Sequence, residues 1–192
     1  MSERSVNQYR KELLYRKATG KRMLSDYLEK VVSLFPAQDR SEIISLEETD
    51  AALDRFKAAS TLLHQETGRI STTELHAELS VVKGRQGGFF VFIDDDWKYC
   101  GMLLVRSMGG LNVGIEFGDK ILNDIVFMSA DMSFAISFDY FEVAGSHLIE
   151  GRCQAPSATA ESLKGVAGLG ELFQHGLVDG DRRVEAVDGA RA

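Results

Sequence analysis

The chain of 192 residues is 44% apolar and 27% charged, a balance that excludes a disordered chain and supports a real core within about one ordinary domain. Its net charge of −7 is unevenly spread: residues 1–40 hold nine Lys and Arg against five Asp and Glu (+4), residues 41–155 nine against eighteen (−9), and residues 156–192 four against six (−2). A basic first segment ahead of an acidic body argues against a nucleic-acid binder working through its main face, and predicts a body that attracts cationic surfaces.

These three segments are the expected organisation: basic N-terminal helices over 1–40, an acidic α+β domain over 41–155, and a C-terminal helix with a loose tail over 156–192. Within Ser5 to Phe35, Tyr9 and Leu13 begin a helical spacing, and Leu24, Tyr27, Leu28, Val31, Val32 and Phe35 form an apolar stripe. Gly20 predicts a break between two helices, and Pro36 ends the second. The next helix is expected over Leu46 to His64, with Glu47, Glu48 and Asp50 in its first turn, where negative charge suits the helix dipole. A further helix is expected to start at Thr72 or Thr73, with Leu75, Leu79 and Val82 on one side and Gly84 beyond its end.

From Gly87 the pattern changes to strands. Phe89–Ile93, Gly101–Met108, Ile125–Ser129, Phe134–Glu142 and His147–Arg152 are rich in aromatic and β-branched residues and separated by short polar turns, which predicts an antiparallel sheet of four or five strands with helices on one face. In FAISFDYFE, Phe134, Ile136, Phe138 and Tyr140 alternate with Ala135, Ser137, Asp139 and Phe141, so one face is core and the other partly wet. Leu111 to Leu122 reads as a short helix weakened by Gly114 and Gly118. Helices followed by a meander sheet make the class α+β.

No apolar run approaches the roughly 18 residues that cross a bilayer, and MSERSVNQYRKELLYRK lacks the apolar core of a signal peptide, so the expected location is the cytoplasm. Cys100 and Cys153 are accordingly expected as free thiols. His64, His76, His147 and His175 accompany no nucleophile elbow, and Gly165-x-x-Gly168-x-Gly170 lacks the preceding strand and the gap order of a dinucleotide fingerprint. Neither points to a cofactor, and none is expected.

The stretch FFVFIDDDWKYCG, Phe89 to Gly101, carries the candidate site. Three adjacent aspartates lack the alternate spacing and closing glutamate of a calcium loop, so no metal is expected there. Aspartate is favoured in turns between strands, which reads Asp94, Asp95 and Asp96 as an exposed hairpin turn. Beside Trp97 and Tyr99, three charges at a turn tip also have the acidic and aromatic composition of an interface. With Asp139, Tyr140 and Glu142 on a neighbouring strand they are the expected partner-binding residues. An exposed turn further predicts that replacing all three aspartates by asparagine alters stability by less than about 1 kcal/mol.

The hairpin FFVFIDDDWKYCG followed by SADMSFAISFDYFE resembles a pattern found in bacterial immunity proteins of polymorphic toxin systems, including contact-dependent growth inhibition. The residues that carry the likeness are Asp94 to Trp97, Cys100 with Gly101, and Asp139 to Glu142, and it extends over about Ile43 to Glu150. The resemblance implies a non-enzymatic role, binding and neutralising a cognate toxin. Many such toxins are nucleases with basic clefts, which an acidic inhibitor can occlude. Two other classes stay open: an RNA-binding or ribosome-associated adaptor using KELLYRKATGKR, whose binding would fall steeply with salt, and a hydrolase built from scattered carboxylates, which would show a deep pocket with perturbed acids.

Overall fold

A computed structural model describes residues 3–36, 43–60, 64–118, 122–143 and 146–155. Among the described residues four helices, α1 (Glu3–Leu34), α2 (Leu46–Ser60), α3 (Thr72–Lys83) and the single turn α4 (Trp97–Cys100), accompany six strands: β1 (His64–Ile70), β2 (Phe89–Ile93), β3 (Leu103–Val105), β4 (Asp124–Ser129), β5 (Ala135–Val143) and β6 (Ser146–Ala155). The class is α+β. All strand pairs are antiparallel, in the order β1-β6-β5-β4-β2-β3. The C-terminal helix or tail, the glycine run 165–170 and His175 lie outside the described residues.

The sheet is covered on both faces, not on one. Strand β2 explains why: all five residues of FFVFI are buried, so its odd and even side chains each need a cover. Phe89, Val91 and Ile93 join Phe127, Phe134, Ile136 and Phe138 in a core completed by Tyr27, Val31 and Leu34 of α1 and Leu75, Leu79 and Val82 of α3. Phe90 and Phe92 face the other way, onto Met102, Met128, Met132 and Ala52 of α2. Each such side chain contributes about 1.5–3 kcal/mol on burial, so the doubly covered strand anchors the domain. Beyond α2, the second face carries Gln65, Thr67, Ser137, Asp139, Glu150, Arg152 and Gln154.

Local sequence rules account for the start of α3. Ser71 accepts a hydrogen bond from the Glu74 N–H while the Glu74 carboxylate accepts one from the Ser71 N–H, a reciprocal cap worth about 1 kcal/mol, and Gly84 follows the last turn.

Four expectations are corrected. The N-terminal helix does not break at Gly20: α1 runs unbroken to Leu34, and Gly20 is the point where α4 touches it, since a Cβ there would stand 2.2 Å from the Tyr99 carbonyl oxygen. The sheet has a strand more than expected: α2 ends at Ser60, and His64, the expected end of that helix, instead begins β1 (HQETGRI). It has no apolar alternation to announce it, and pairs with β6 along its whole length, from His64 opposite Ala155 to Ile70 opposite Ile149. Leu111–Leu122 forms no helix in its described part. It follows a 3₁₀ turn at Met108–Gly110, and Gly118 sits at φ +143°, bridged to Leu122. Finally, Asp94–Asp96 is not a bare hairpin turn, because the link from β2 to β3 contains α4.

Gly101, which ends α4, is held at φ +90° with a virtual Cβ 2.0 Å from the Ile44 carbonyl oxygen, and its own carbonyl accepts a 2.8 Å hydrogen bond from the buried Tyr27 hydroxyl. Cys100 and Cys153 are not joined in a disulfide, and burial pushes Cys100 up to about 11, away from a reactive thiolate. Among the described residues no helix is long and apolar enough to cross a membrane.

Candidate functional site: an acidic corner of the sheet

Carboxylates gather where β2 runs into α4 beside the start of β4. Asp94 adopts a left-handed conformation, φ 46°, which aspartate tolerates better than most residues. The bend lets its Oδ1 accept both the Asn123 and the Asp124 N–H at 2.8 Å, while its own N–H donates to the Asp124 carbonyl. Asp94 therefore ties the end of β2 to β4. Its second oxygen meets the Lys30 ammonium of α1, which also donates to Asp96 at 2.8 Å. Burial pulls the Lys30 pKa down, but the hydrogen bonds to the two aspartates outweigh it and leave it raised. Lys30 stays charged and neutralises part of the corner.

The predicted residues thus separate into two groups. Asp94 and Asp96 point inward and bind α1; the side chain of Asp95, 75% exposed, makes a local pair with Lys98. Trp97 is not at an exposed tip. Its ring meets Phe92 edge-on, centroids 5.0 Å apart, on the face covered by α2, where it is half-buried, as is Tyr99. Period-two geometry also splits the expected trio on β5: Asp139 lies on the same face as Ser137, whereas Tyr140 and Glu142 lie on the opposite one. Tyr140 lines a cleft of about 390 Å³ with Ile70, Ser71, Thr72, Leu75, Phe117 and Ile149.

Two residues that sequence reasoning missed complete the corner. Asp124 of β4 stands directly opposite Asp139, which in turn stands opposite Glu150 of β6. Like charges in register destabilise a ladder. Glu150 is compensated by Arg152 at 3.1 Å and faces Arg69 across the β1 pairing. Asp139 makes no ion pair with a described residue. Burial, a hydrogen bond with Asp139 and the charges of Asp139, Asp94 and Asp95 push Asp124 up to about 7. The corner therefore has more negative charge than it can hold comfortably. Only the register reveals this, since Asp124 and Asp139 are ordinary strand residues in the sequence.

No group of three or more His, Cys, Asp or Glu able to hold a metal is present among the described residues. The two described clefts do not coincide with the perturbed acids: the second, of about 410 Å³, is lined by Ser25, Leu28, Glu29, Val32 and Ser33. No family model, curated protein or solved structure matches the chain.

The two inward aspartates change the expected effect of neutralisation. Asp94→Asn and Asp96→Asn are each expected to lower stability by about 1 kcal/mol, because each removes a charge-assisted bond to a half-buried ammonium. Asp95→Asn should stay within about 0.5 kcal/mol. Urea unfolding midpoints of the three single variants check this; equal effects would restore the exposed turn.

A second buried acid gives a pH dependence. Glu78 on α3 is 4% exposed with no hydrogen-bond partner for Oε2 among the described residues, and burial, followed by the charge of Glu74, pushes it up to about 7. For Glu78 and Asp124 the folded state binds protons more tightly than the unfolded chain, so their contribution to stability is greatest below the unfolded values near 4 and is lost as pH rises to about 7. Glu78→Gln is accordingly expected to raise the melting temperature at about pH 8 and to matter much less at about pH 5. A gain of equal size at both values would exclude titration as its cause.

Proposed function

We propose that this chain is an immunity protein, a cytoplasmic inhibitor that binds a basic toxin domain through its acidic corner. The observation that carries the reading is the stack of register-opposed carboxylates Asp124, Asp139 and Glu150 beside the exposed Asp95, with Lys30 taken up by Asp94 and Asp96. A cationic side chain placed against Asp124 and Asp139 would pair with both carboxylates and favour loss of the proton that burial and the neighbouring charges keep on Asp124, so the corner suits a basic partner. Field from the corner speeds encounter, and the half-exposed Trp97 and Tyr99 beside it supply apolar contact. The resemblance of the strand motifs to toxin-system immunity proteins supports the same role.

Tagged wild-type protein and the Asp95→Lys/Asp139→Lys variant, both of which keep the inward aspartates intact, can be used to recover partners from native cells. The reading requires a basic protein held by the wild type alone, toxic when expressed by itself and harmless when co-expressed with the wild type but not the variant. Equal retention by both, or toxicity undiminished by the wild type, overturns it.

A further inference from the structure

We propose that the outward face of the N-terminal half of α1 is a docking strip for single-stranded nucleic acid, separate from the acidic corner and independent of the toxin-binding reading. The inward side of this half-helix is accounted for: Tyr9 and Arg16 bind Asp50, Arg16 also reaches the Lys98 carbonyl, and Lys17 pairs with Glu47. On the other side the helical repeat lines up Lys11, Tyr15, Ala18 and Arg22 at i, i+4, i+7 and i+11, all exposed. Tyr15 is 64% exposed and its neighbour Leu14 69%, with Arg10 and Lys21 exposed on the flank. From Val6 to Ser25 there are six cations and one acid, Glu12. Arg10, Lys11, Lys21 and Arg22 make no ion pair with a described residue. Four cations with no acidic partner among the described residues, set around an exposed tyrosine, make a surface complementary to a polyanion.

The composition of the strip selects among polyanions. Its exposed apolar residues, Val6, Leu14, Tyr15 and Leu24, are interspersed with charge, whereas a helix that lies in a bilayer surface needs a continuous apolar face. A duplex offers phosphates but hides its base faces; a single strand offers phosphates to Lys11 and Arg22 and a base to stack on Tyr15 between them. An acidic protein would satisfy the cations without needing an accessible ring face. Repulsion by the acidic corner fades along the strip: Arg22 lies about 12 Å and Lys11 about 28 Å along the helix from Lys30, against a screening length of about 8 Å at physiological salt.

The test is fluorescence anisotropy of a labelled, mixed-sequence single-stranded RNA 12-mer titrated with the full-length protein. Four phosphate contacts predict a slope of log K against log salt of about −2.8, which is roughly fifty-fold weaker binding at 200 mM than at 50 mM salt. Lys11→Gln/Arg22→Gln should halve that slope. Tyr15→Ala should weaken binding at least about fivefold at unchanged slope, with Tyr15→Phe restoring it. These side chains are exposed, so the variants test binding and not folding. Absence of saturable binding at 50 mM salt, a slope near zero, or a double variant that binds like the parent would overturn the proposal. So would a duplex of equal length bound as tightly with Tyr15→Ala having no effect, or phosphatidylserine vesicles or an acidic peptide bound in preference to the RNA.

Discussion

Replacing Gly20 by alanine is expected to destabilise the protein by about 2–3 kcal/mol, against the rule that alanine improves a helix interior by about 1 kcal/mol. The reason is contact, not propensity. The added Cβ would stand 2.2 Å from the oxygen and 2.9 Å from the carbon of the Tyr99 carbonyl, both backbone atoms of α4 that cannot rotate away. Relief requires α4 to move off α1, and α4 is fixed by Asp94 and Asp96 gripping Lys30 and by the Tyr27 hydroxyl on Gly101. For a chain of this size the melting temperature should fall by roughly 5–10 °C. A stabilised Gly20→Ala variant would mean that α1 and α4 do not approach closely in solution, and the inward orientation of Asp94 and Asp96 would fall with them.

Ile136→Asp is expected to abolish the cooperative thermal transition. Ile136 is 3% exposed, sits in register between Phe127 and Cys153, and shares the core face of β5 with Phe134 and Phe138. An unpaired carboxylate there loses both the transfer energy of the isoleucine and several kcal/mol of desolvation, comparable with a total stability of about 5–15 kcal/mol. The adjacent position provides the control. Ser137 lies on the polar face with Arg152 as its register partner, so Ser137→Asp should shift the transition only slightly. Far-UV circular dichroism on heating distinguishes the two, and a wild-type melt for Ile136→Asp would show the facing of β5 to be reversed.

Features of this protein that depend on near neighbours were legible in its sequence. The capping box Ser71 to Glu74, the stripe Leu75, Leu79 and Val82 with Gly84 beyond it, and the alternation of FAISFDYFE are each set by repeats of 3.6 or 2 and by atoms a few residues apart. The α+β class followed from those elements. Whatever depends on residues far apart in the chain was not legible. Gly20 looks like a helix breaker until Tyr99 is brought against it, and HQETGRI looks like loop until β6 offers its backbone. The aspartates after FFVFI were visible as a cluster, but their roles were not: Lys30, 64 residues from Asp94, turns two of them inward. The opposition of Asp124 and Asp139, on which the proposed binding surface rests, arises only from the pairing of β4 with β5. Register is a choice among strand alignments, and a slip of one residue would have sent Asp139 to the core face in place of Phe138. The buried aromatic residues of the whole sheet decide that choice, and so it is the packed core, not the local run of acids, that places the charge.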